Sequence, residues 1–103
     1  METLRQKQSR FVYMVARLID HAYENGFEMT WGHAWRSPAC TVGSEVSLHR
    51  KRLAVDFNLF IDGEWIQDGR GHDELHDFWD SIGGAERIPN DSNHYSIEHL
   101  GMR

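Results

Sequence analysis

Residues 53–61, LAVDFNLFI, constrain the fold more than any other stretch of the chain. Leu53, Val55, Phe57, Leu59 and Ile61 alternate with Ala54, Asp56, Asn58 and Phe60, and a period of two marks a β-strand with one face on the core. Asp62-Gly63 follows at once, flanked by Ile61 and Glu64-Trp65, and predicts a two-residue hairpin that folds the strand back on itself. The anomaly is Asp56. A carboxylate in an apolar strand is costly to desolvate unless something neutralises it, and a metal ion is a partner that also accounts for His49 just upstream.

The flanking segments have helical periodicity. Thr3 and Gln6 form a T-x-x-Q capping box, after which Phe11, Val15, Leu18 and Ala22 recur on one stripe, widened by Met14 and Ile19. Asn25-Gly26 supplies a stop, so residues Leu4 to Glu24 are expected to form one amphipathic helix. Phe27 to Trp35 predicts a short strand, followed by an irregular stretch that opens at Ser37-Pro38 and contains Gly43. Asp73 to Ser81 reads as a second helix, with Leu75, Phe78, Trp79 and Ile82 apolar and Gly83-Gly84 ending it. His94 to His99 predicts a short closing strand. With no repeat or linker, the chain is expected to be one α+β domain over residues 1–103, its helices packed on a small antiparallel sheet.

Composition narrows the function. An apolar share of 40% in 103 residues suffices for one core, and a formal charge of −5 argues against a protein built to grip a phosphate backbone. The run His49-Arg50-Lys51-Arg52 is the local exception, and its cations Arg50-Lys51-Arg52 read best as a solvated loop. Cys40 is the single cysteine, which excludes an internal disulfide and suits a reducing compartment. The polar opening METLRQKQSR and the short apolar run Phe11–Ala16 predict neither a signal peptide nor a membrane anchor.

Seven histidines exceed what packing needs. His49 precedes the strand and Asp56 lies on its polar face, so both can approach one ion. A catalytic zinc site takes three protein ligands and keeps a place for water. In Asp91-Ser92-Asn93-His94 a carboxylate stands three residues before a histidine. Alternation sets His94, Ser96 and Glu98 against Tyr95, Ile97 and His99, so either His94 or His99 could supply the third ligand, but not both from one face.

Ser47-Leu48-His49 with Ala54-Val55-Asp56 resembles the S-x-H-x-x-G-x-A-x-D signature of zinc-dependent D-Ala-D-Ala carboxypeptidases and phage L-alanyl-D-glutamate endopeptidases. Asp91-Ser92-Asn93-His94 is similar to that family's second signature, an acidic residue and a histidine separated by two positions. Ala34-Trp35-Arg36-Ser37 is similar to its short block ending in Arg-Ser or Arg-Thr, and Asn93-His94-Tyr95-Ser96-Ile97-Glu98-His99 to the ending of short phage and prophage members. The resemblance implies a Hedgehog/DD-peptidase-like fold with Zn2+ held by His49, Asp56 and His94, and Asp91 as general base. It also implies Arg36 as the residue that holds substrate and polarises its carbonyl. Ser47 is a further substrate-binding candidate, and Glu98 a candidate partner to a ligand histidine. The substrate would be a peptidoglycan stem peptide. The implied protein is a monomeric lysis enzyme, made in the host cytoplasm and reaching the wall through a holin-like partner. Two departures stand out: Arg52 occupies the position of the signature's Gly, and the stretch between Arg36 and Ser47 is short.

Three other readings compete. A binding module could keep the fold and the metal without catalysis. A nucleic-acid-binding protein could use residues 49–52, against the acidic balance. His72 and His76, at i and i+4 on the second helix, share the spacing of H-E-x-x-H metallopeptidases, but Asp73 fills the slot where that motif needs Glu.

Overall fold

The computed structural model describes residues 1–32 and 51–101. Helix α1 spans Leu4–Glu24, and its capping box is reciprocal: the Gln6 amide donates to Thr3 Oγ1 at 3.1 Å, and the Thr3 amide to Gln6 Oε1 at 2.8 Å. Two otherwise orphaned N–H groups at the helix start are thereby satisfied. The predicted stripe is the buried one, with Phe11, Met14, Val15, Leu18 and Ala22 inside.

Strand β1 (Phe27–Trp31) follows and pairs antiparallel with β2 (Ala54–Ile61), Trp31 opposite Phe57 and Phe27 opposite Ile61. The hairpin falls where the Asp-Gly pair demands it. Asp62 and Gly63 have φ of 53° and 80°, both left-handed, which matches the right-handed twist of the flanking strands. It returns the chain along β3 (Glu64–Ile66), after which come α2 (His72–Ser81) and β4 (His94–Ser96). The four strands with helices on them make an α+β fold with a small antiparallel sheet, as the hydrophobic pattern predicts.

β2 is the spine of the sheet. Its even-numbered backbone groups face β1, an alignment continued by the Gly32 amide donating to the Asp56 carbonyl at 2.8 Å. Its odd-numbered groups face the opposite edge, where β3 pairs with residues 59–61 and β4 with residues 54–56. β3 and β4 therefore lie end to end on one edge, and a gap opens between them beside Phe57 and Asn58.

The core lies between α1, α2 and β2, and Trp79 and Tyr95 are fully buried within it. The Trp79 ring meets Phe11 edge-on at 5.8 Å, and its Nε1–H donates to the Ser96 carbonyl at 2.8 Å. Burying indole with its one polar atom satisfied gains the apolar transfer energy at no polar cost. Over residues 53–57 both faces of β2 are buried, including Ala54 and Asp56 on the face expected to be polar.

Candidate metal centre

The register of β2 and β4 sets Asp56 directly opposite His94. Residues opposed in an antiparallel pair project to the same face, so carboxylate and imidazole meet without any bend in either strand. His94 Nδ1 lies 3.3 Å from Asp56 Oδ1, with Asp56 9% and His94 6% exposed. Asp91 Oδ2 stands 3.9 Å from the same nitrogen, on a half-exposed side chain.

The turn that brings Asp91 to His94 is held at three successive carbonyls. The His94 amide donates to the Asp91 carbonyl at 3.1 Å, His76 Nε2 donates to the Ser92 carbonyl at 2.8 Å, and the Phe57 amide donates to the Asn93 carbonyl at 3.0 Å. The turn is thus tied to itself, to α2 and to β2. Gly32 presses on the other side of Asp56: a Cβ there would stand 3.0 Å from the Asp56 carbonyl oxygen and 3.2 Å from its Cβ.

The two histidines left open by strand alternation are now distinguished. His94 faces Asp56, whereas His99 turns away to α1, where Lys7 Nζ donates to its Nδ1 at 3.0 Å. β4 is shorter than the strand predicted over 94–99. Pairing continues through Ile97, whose amide donates to the Leu53 carbonyl at 3.2 Å, and Glu98 beyond it is exposed.

Arg52, which replaces the signature's Gly, has φ of 59°. An arginine here adopts the left-handed backbone that glycine takes without steric penalty. His49, Ser47 and Arg36 lie outside the described residues, and among the described residues no three His, Cys, Asp or Glu side chains gather as a metal site. The Asp56–His94 contact at 3.3 Å is within hydrogen-bond reach, and it is also the spacing of two ligands on a tetrahedral zinc with bonds of about 2.0 Å, so imidazole and carboxylate are donors compatible with that ion.

The i, i+4 histidines of α2 have a different role from that of metallopeptidase ligands. Both are 2% exposed and both pack on Tyr95. His76 stacks on the phenol ring at 4.3 Å, and the Tyr95 hydroxyl donates to His72 Nδ1 at 2.6 Å. Burial holds both imidazoles below their ordinary pKa, His72 down to about 4, and pushes the Tyr95 phenol up. They are neutral groups that hold β4 and the Asp91 turn, and their spacing alone could have found them only by suggesting the wrong chemistry.

Comparison with protein-family models, with curated proteins and with solved structures finds no match to this chain.

Proposed function

We propose that this chain is a zinc-dependent peptidase that hydrolyses an amide bond in the peptide stems of peptidoglycan, as a lysis enzyme of phage or prophage. The observation that carries the reading is the meeting of Asp56, Asp91 and His94, residues from two separate signature blocks, at one place on the sheet. Strand register brings Asp56 to His94 and the turn brings Asp91 to the same imidazole, so the two blocks supply their acidic and imidazole groups to one side of the sheet.

On this reading His49, Asp56 and His94 hold the ion. Bound there, zinc would supply Lewis-acid polarisation of the scissile carbonyl and a water acidified towards a pKa of ~7. Asp91 accepts a proton from the attacking water as its oxygen bonds to the carbonyl carbon, then passes it to the amide nitrogen as the C–N bond breaks. Its half-exposed carboxylate remains open to solvent and substrate for that transfer. Arg36 stabilises the developing oxyanion, an effect on the order of 3 kcal/mol for a well-placed donor, and Ser47 contributes to substrate binding.

The test is hydrolysis of purified peptidoglycan or clearing of permeabilised cells, with zinc content measured in parallel. The wild type should release new amino termini, stop in chelator and recover with zinc. Asp91→Ala should keep about one zinc per chain and lose hydrolysis. Zinc bound by a wild type that cleaves nothing would overturn the peptidase in favour of a binding module.

A further inference from the structure

Where β3 and β4 part on the shared edge of β2, a cleft of about 250 Å3 opens beside Asp91. Trp65, on β3, lines it with half its surface exposed. Asn58, Gln67, Asn90 and Asn93 line it too. A carboxamide offers both a donor and an acceptor at no net charge, which matches ligands whose hydroxyl and acetamido groups do the same. An indole left half in water presents a flat apolar face, and a pyranose ring carries a flat face of C–H groups that packs against it. Among the described lining residues Asp91 is the only carboxylate and none is Lys or Arg, so this part of the wall matches a neutral ligand.

We propose that this cleft is a saccharide subsite, in which Trp65 stacks on an amino sugar of the glycan strand while the surrounding carboxamides bond its hydroxyl and acetamido groups. The inference rests on the function proposed above and refines it. Asp91 belongs to both the cleft and the metal centre, so a sugar held there lies next to the reacting amide. In a stem peptide, the bonds next to the sugar are the first ones. The subsite therefore places cleavage among the sugar-proximal bonds of glycan-linked stems rather than at the distant D-Ala-D-Ala bond.

The zinc-loaded full chain is tested on two substrates, a disaccharide-linked stem peptide and the same peptide without its sugars. The wild type should prefer the glycan-linked substrate by about tenfold or more in kcat/KM. Trp65→Ala should raise KM for that substrate and leave the sugar-free peptide unchanged, with Trp65→Phe retaining part of the preference. Separately, the peptide-free amino-sugar disaccharide is titrated while the side-chain amide and indole resonances are followed by NMR. Saturable shifts that vanish in Trp65→Ala and weaken in Gln67→Ala support the subsite. Equal cleavage of both substrates, an equal loss on both in Trp65→Ala, or no saturable disaccharide binding overturns it. Disaccharide binding by a protein that hydrolyses neither substrate sinks the peptidase reading and leaves the saccharide site standing.

Discussion

Asp56 and His94 face each other across the β2–β4 ladder with Oδ1 and Nδ1 3.3 Å apart, a contact made by strand register and not by loop geometry. Such a pair is preorganised: removing either partner leaves the other buried beside a lost charge or hydrogen bond. On the zinc site proposed above, His94→Ala and Asp56→Ala should both drop bound zinc from about one per chain to well below half. Elemental analysis of dialysed protein reads this directly. Zinc held at full occupancy by either variant would remove that residue from the proposed metal site.

Arg52 supplies a prediction about backbone alone. Its φ of 59° costs any residue with a Cβ roughly 1 kcal/mol relative to glycine. Arg52→Gly and Arg52→Ala both delete the same side-chain interactions, so their difference isolates that cost. The glycine variant should be the more stable by about 1 kcal/mol in urea denaturation. An alanine variant of equal stability would mean that the turn is not held in the left-handed region.

The buried histidines make folding sensitive to acid. His72 titrates near 6.5 in the unfolded chain and at about 4 when folded, lowered by burial first, then by His76, with Asp73 acting the other way. Its folded pKa is depressed, so the unfolded state binds the proton first. Stability should be fully present above pH 6.5 and fall as pH drops towards 4, by on the order of 3 kcal/mol from this group. His76, also lowered by burial, adds to the same slope, while the Tyr95 phenol facing both stays protonated throughout. Urea midpoints between pH 4 and 7 check this, and His72→Gln should flatten the slope.

Much of this molecule is written locally. The capping box of α1, its Asn25-Gly26 end, the alternation of β2 and the Asp62-Gly63 turn each depend on residues within a few positions of one another, and each stands where the sequence pattern puts it. What the pattern could not tell is what covers the second face of β2. Asp56 is therefore more buried than a strand's polar face suggests, and β4 ends its regular pairing sooner than alternation over 94–99 predicts. The choice between His94 and His99 needed the register of two strands far apart in sequence, and the Lys7 contact that draws His99 to α1. The roles of His72 and His76 depend on Tyr95, a residue outside their own helix, so no local motif could have disclosed them.

His76 gives the sharpest test of how the Asp91–His94 turn is positioned. Its Nε2 donates to the Ser92 carbonyl, and that residue lies between the proposed base and the proposed ligand. His76→Ala removes this bond and opens a cavity under Tyr95, which should cost about 2–4 kcal/mol in folding. His76→Gln can present an amide donor at much the same reach, and should recover part of the loss. If the bond also orients the turn for metal binding, zinc affinity should fall by roughly 10–100-fold in the alanine variant and recover partly in the glutamine variant. Competition with a chromogenic chelator, at a temperature where each variant is fully folded, separates the two effects. An alanine variant that folds less stably yet binds zinc as tightly as the wild type would make His76 a packing residue only.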